Sequence, residues 1–131
     1  MAPFFHVFSC ALRWGDMDAY GHVNHAVFLR FLESARVELF AQCCGDALPM
    51  LVVAEVQCRY LAELSYPATV EVHSALQHVR GGSLEVVAEI REGGRVCATS
   101  RVQLVCFDPV RRKATRFPSD FLAAIGAYVR A

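Results

Sequence analysis

The stretch RWGDMDAYGHVNHAVFLRF, residues 13–31, changes character twice. It begins where an aromatic and β-branched run, FFHVFSCALR (4–13), reads as a strand. A polar loop follows over 15–23, carrying Asp16, Asp18 and His22. From Asn24 onward the pattern is helical: Phe28, Phe31, Leu32, Ala35 and Leu39 recur at spacings of three and four, which lays them on one face. Arg30, Glu33, Arg36 and Glu38 fall between them, and Arg30–Glu33 and Glu33–Arg36 are expected as i,i+3 ion pairs. Asn24 suits the N-cap and Gly45 the position just past the C-terminus. The helix so bounded, 24–44, is about 30 Å long.

Working outward, the chain beyond Pro49 reads as strands: 50–61, 68–79, 83–92 and 95–107. Val70, Val72 and Leu76 alternate with Glu71, His73 and Gln77, and Leu84, Val86, Ala88 and Ile90 share one face of the next run. Gly81-Gly82 and Gly93-Gly94 are turns. Pro118 opens a short helix with Asp120 inside it. The order of strand, loop, long helix, four strands and small helix predicts an α+β fold, with one long helix lying across a five-stranded antiparallel sheet. One helix cannot cover both faces, so the free face or an edge strand is expected to meet another subunit.

The 131 residues suggest a single domain, 1–131. Hydrophobic residues make up 55% and charged ones 20%, which also points to a surface shared between subunits. A formal net charge of zero argues against nucleic-acid or anionic-membrane partners. No apolar run is long enough to span a membrane, and the first residues lack the basic region of a signal peptide. The six cysteines show no C-x-x-C pair, and Cys43-Cys44 is poor disulfide geometry. They read as small apolar thiols in a reducing cytosol, and the expected location is cytoplasmic.

A helix start presents unpaired N–H groups and the positive end of a dipole, a place for negative charge developing on a carbonyl oxygen. Asp18 lies close enough upstream to fold back towards that end and attack a carbonyl, or activate a water. Its structural alternative is a carboxylate that only shapes the turn. Asp16 reads as a brace for the loop. His22 and His25 are three apart, but no third metal ligand accompanies them, so no metal and no cofactor is expected. Arg111, Arg112, Lys113 and Arg116 read as a solvated loop rather than a phosphate site. No glycine-rich phosphate loop, G-x-S-x-G elbow or cysteine nucleophile signature is present.

The arrangement G-D-M-D-A-Y-G-H-V-N-H-A-x-F-L-x-F-L-E-x-A-R, 15–36, resembles the signature of the 4-hydroxybenzoyl-CoA thioesterase family of hotdog-fold proteins. The stretch Y-L-x-x-x-x-Y-P-A-T-V-E-V (60–72) adds to the likeness, and the rest follows in strand order. The resemblance implies a hotdog fold, a homodimer with a continuous sheet, and pairing of dimers into a homotetramer. It implies that Asp18 is the catalytic nucleophile or general base. The backbone N–H at His25 would polarise the thioester carbonyl. The His25 side chain falls where one branch of the family has a functional histidine and another an asparagine. Tyr20, His22 and Asn24 match loop positions that shape the site, and Phe28 matches the acyl pocket. Arg80 and Ser83 are placed like contacts to coenzyme A.

The function implied is hydrolysis of an acyl-CoA, or of an acyl-carrier-protein thioester. Two alternatives stand beside it: a hotdog hydratase or dehydratase on acyl thioesters, and a non-catalytic acyl-binding protein. The residues leave open fatty acyl against aroyl groups, and dimer against tetramer.

Overall fold

The computed structural model describes residues 3–131. Five long strands form one antiparallel sheet: β1 (His6–Ala11), β2 (Leu51–Tyr60), β3 (Thr69–Arg80), β4 (Ser83–Glu92) and β5 (Arg95–Asp108), in the order β1-β3-β4-β5-β2. The long helix α1 (His25–Cys44) lies across one face, and a short helix α2 (Ser119–Ile125) closes the end near its C-terminus. This is the hotdog arrangement. A further strand, β6 (Lys113–Ala114), pairs only with the end of β5. It lies within the basic loop and is too short to show as a sequence pattern.

The core follows the expected alternation. Val70, Val72, Leu76, Leu84, Val86 and Ile90 are buried, as are Phe28, Phe31, Leu32, Ala35 and Leu39 from the helix. They fall into two clusters, one around Phe31 and Val72 and the other around Leu39, Phe121 and Leu104. Asn24 caps α1, its side-chain oxygen accepting the Ala26 N–H at 2.9 Å. Gly45 ends the helix at φ +53°, a conformation that side chains with a Cβ resist.

Three expectations need correction. The first strand begins at His6 and stops at Ala11; one more bond in the same register, from the Leu12 N–H to the Ala68 carbonyl, precedes the helical turn at Trp14–Asp16 that takes the chain out of the sheet. The four later strands are not all joined by turns: β2 pairs with β5 at one edge, while β3 lies between β1 and β4. The link 61–68 therefore crosses the end of the sheet, with the fully buried Leu64 plugging the core beneath it. The five consecutive exposed residues Val53–Gln57 show why β2 belongs at the edge. Finally, Arg30 does not pair with Glu33. Its guanidinium reaches back to Asp16 at 2.8 Å, leaving Glu33 to Arg36 at 3.9 Å. A buried carboxylate attracts a cation more strongly than a solvated one does.

The β3–β4 turn is packed against the chain that follows β5. Gly81 accepts the Phe117 N–H at 2.9 Å and Gly82 accepts that of Cys106 at 2.7 Å. A Cβ on Gly82 would run into the Thr115 carbonyl oxygen. Gly82→Ala is therefore expected to lower stability by about 2 kcal/mol, read as a reduced midpoint in urea unfolding. An unchanged midpoint would show that segment 113–117 yields freely.

Candidate active site

The loop before α1 is held from three sides. The Asp18 N–H donates to the His22 carbonyl at 2.8 Å, and Met17 bridges to Val23, which makes 17–23 a small hairpin around Gly21. The crossing segment clamps it: the Val23 N–H donates to the Leu64 carbonyl at 2.8 Å and the Ser65 hydroxyl to the Gly21 carbonyl at 3.1 Å. Below it stands Asp16, only 1% exposed. Its carboxylate accepts the Arg13 N–H and the Arg30 guanidinium, each at 2.8 Å. Burial pushes the Asp16 carboxyl up, but the Arg13 N–H and the Arg30 guanidinium outweigh it and hold the group below its ordinary value of 3.8. Asp16 is the brace that the sequence suggested.

Above this brace a cleft of about 420 Å³ opens, lined by Asp18, His22, Val23, His25, Phe28, Tyr60, Leu61, Ala62 and Glu63. Asp18 Oδ1 accepts the Tyr20 N–H at 2.9 Å and, more weakly, the His22 N–H at 3.4 Å. Its Oδ2 accepts no hydrogen bond among the described residues. One oxygen thus shapes the turn while the other is left without a partner among the described residues. The His25 N–H, first of the helix, also finds no acceptor among the described residues. The Tyr60 hydroxyl donates to the His25 carbonyl at 3.1 Å, and its ring packs edge-on to both Phe28 and His25, with centroids 5.1 and 6.2 Å apart. Burial and the neighbouring Cys58 push the Tyr60 phenol up to about 12, so it stays a neutral donor.

The structure gathers Asp18, His22, His25 and Phe28 from the sequence-predicted set and leaves the others outside the cleft. His22 is tied to Glu63 at 2.9 Å. Asn24 is spent on capping the helix. Tyr20 is 87% exposed and turns its ring to solvent. Arg80 and Ser83 close the β3–β4 turn, whereas Thr69, at the start of β3, pairs with Ala11 beside the loop. Twelve strand residues separate the two ends, about 40 Å at ~3.3 Å per residue, so within one chain neither reaches the cleft. Tyr60 and Glu63 went unassigned in the sequence; the only signal for them was the Tyr60-Leu61 pair opening the second resembling stretch. A larger hollow of about 630 Å³ on the outer sheet face, between Gln57, Arg101 and Arg130, contains none of the expected residues.

A profile of the thioesterase-like superfamily matches residues 12–125. The chain belongs to that superfamily. Two curated relatives of this superfamily member come from Escherichia coli. The acyl-CoA thioester hydrolase YbgC of strain O157:H7 is 27% identical over 115 residues, covering 82% of this chain and 86% of that protein. The long-chain acyl-CoA thioesterase FadM of strain K12 is 29% identical over 112 residues, covering 79% and 83%. Among solved structures, a thioesterase from Thermus thermophilus complexed with coenzyme A and Zn matches with a TM-score of 0.85 at 26% identity, covering 93% of this chain and 98% of that one. No helix among the described residues is long and apolar enough to cross a membrane.

Proposed function

We propose that this thioesterase-like protein hydrolyses acyl-CoA thioesters to the free acid and coenzyme A. One observation carries the reading: Asp18 and His25 line the same cleft, and neither Asp18 Oδ2 nor the His25 N–H has a hydrogen-bond partner among the described residues. The names of the relatives support it. A thioester carbonyl oxygen placed at the helix start meets that N–H and the positive end of α1. The Asp18 carboxylate then attacks the carbonyl carbon, or removes a proton from a water that does. The oxyanion formed stays at the helix start until the C–S bond breaks and the thiolate leaves. Where water is the attacking group the free acid forms directly; where Asp18 attacks, an acyl-aspartyl anhydride is left, and water hydrolyses it to the free acid and restores the carboxylate. A thiolate is a good leaving group, so no dedicated general acid is required, and the scheme needs neither metal nor cofactor. Tyr60 holds the first turn of α1 in place through the His25 carbonyl, and Phe28, Tyr60 and Leu61 form an apolar bed for the acyl group.

The same proposal requires a second copy of the chain. Strand β2 is an edge ten residues long. Exposed Val53 and Val56 on it lie near exposed Leu29 and Val37 of the helix, a bare apolar surface beside open backbone groups. Leu51 pairs with Cys106, and Ser83 with the adjacent Val105, so the β3–β4 turn stands at the Leu51 end of the sheet. Antiparallel pairing of two β2 strands brings that end of one chain beside Tyr60 of the other. Arg80 and Ser83 of a partner then approach the cleft that their own chain cannot reach. The dimer, alone or paired into a tetramer, completes the site for coenzyme A.

The test is steady-state loss of thioester absorbance over short, medium and long fatty acyl-CoA, benzoyl-CoA and phenylacetyl-CoA. It is run beside sedimentation velocity on the same sample. Turnover of at least one class by a species larger than one chain is the expected result. No turnover across the panel overturns the activity, and a monomer that turns over substrate overturns the shared site.

A further inference from the structure

Helix α1 ends in two adjacent cysteines, Cys43 and Cys44, whose sulfurs stand 3.2 Å apart. Neighbouring helical side chains normally diverge, since each residue turns by about 100°. Here they converge because the helix is already opening: Cys44 has φ −112°, and Gly45 after it φ +53°. Both thiols are half-buried, packed on one side against the cluster of Leu39, Phe40 and Phe121. They are the only two cysteine sulfurs in contact among the described residues; Cys97 and Cys106 are buried singly.

The geometry discriminates among ligands. A disulfide needs sulfurs about 2.0 Å apart and Cα atoms typically at least ~4.4 Å apart. A trans peptide holds adjacent Cα atoms at ~3.8 Å, so closure would distort the helix end. A tetrahedral cation lacks ligands, because among the described residues no group of three histidine, cysteine or acidic side chains is placed to hold one. A single soft atom bonded to both sulfurs fits better. Two bonds of ~2.3 Å, the length of a soft ion to thiolate, meeting near a right angle leave the sulfurs about 3.3 Å apart.

We propose that Cys43 and Cys44 form a dithiol site for trivalent arsenicals of the organic arsenoxide class. The reaction breaks two S–H bonds and the As=O bond, forms two As–S bonds and releases one water. Arsenic stays trivalent and no oxidant takes part. The oxide oxygen carries away both protons, so the site needs no preformed thiolate. That matters because burial and the Cys43 contact push the Cys44 thiol up to about 12. The second As–S bond closes within one molecule, which favours it over two separate thiols by about 10²-fold or more. The site lies at the far end of α1 from the proposed catalytic cleft, about 30 Å away along 20 helical residues, and stands independently of that reading.

The probe is phenylarsine oxide, with intact mass as the readout. The wild-type chain is expected to hold one equivalent through a wash with excess glutathione, a monothiol, and to release it to dithiothreitol. Cys43→Ser and Cys44→Ala should each lose the retained adduct while keeping the wild-type circular dichroism spectrum, and Cys58→Ser should keep it. Complete release of the wild-type adduct by glutathione overturns the proposal. So does equal retention by either single variant at the helix end.

Discussion

Asp18→Asn is expected to lower kcat by about 10²–10⁴-fold, the usual contribution of a positioned base. Asparagine has nearly the same shape, and its carbonyl oxygen can still accept the Tyr20 N–H that Asp18 Oδ1 accepts at 2.9 Å. The loop hairpin, its clamp to Leu64 and the Asn24 cap do not depend on the charge. Only the anionic Oδ2 is lost, along with its capacity to attack or to take a proton. The thermal midpoint should therefore stay at the wild-type value while turnover collapses by about 3–5 kcal/mol of transition-state stabilisation. A variant that keeps its rate would leave Asp18 as a turn former and move the chemistry elsewhere. One that loses rate and stability together would show that the charge holds the loop.

The second large effect lies one turn below, at Asp16. Asp16→Asn should cost about 3 kcal/mol at neutral pH, because it removes the charge from a buried acceptor and leaves the Arg30 guanidinium without its counterion. The sign of the pH dependence follows from the lowered carboxyl. A group that ionises more easily folded than unfolded stabilises the fold fully above its ordinary value, here 3.8. That contribution disappears as the pH falls through the lowered native value. Urea midpoints of wild type and Asp16→Asn should therefore differ widely at pH 7 and converge in acid below 3.8. A gap of constant size across that range would show that the carboxylate's charge is not what stabilises the loop.

Much of this was legible in residue order, and the reasons differ by element. The spacing of Phe28, Phe31, Leu32, Ala35 and Leu39 sets the buried face of α1 because helix periodicity is local. The alternation in β3 and β4 is equally local. Asp18, His22 and His25 could be grouped because the chain itself brings them together before the helix start. Sequence pattern failed where pairing is decided at long range. MLVVAEVQCRYL reads only as a strand, and it is the five exposed residues in its middle that mark it as an edge. Helix spacing pairs Arg30 with its neighbour Glu33, although a buried carboxylate 14 positions upstream holds it. Tyr60 stands 35 positions from His25, and nothing local marks it as the support for that turn. Arg80 and Ser83 belong near the ligand only if a second chain brings them there.

Phe28 is 3% exposed, packs with Phe31 and Leu32 in the upper core, and forms the bed of the cleft. On the proposed function one ring serves both selectivity and cohesion, and the two cannot drift apart during divergence. Enlarging the cleft at this position removes a filled core volume, at roughly 3–5 kcal/mol for an aromatic ring cut back to alanine. Lineages that change acyl preference without forfeiting the fold have an easier route through the crossing segment. There Leu61, more than half exposed, lines the same cleft and is not among the buried core residues. The evolvable wall of this cleft is the one outside the helix.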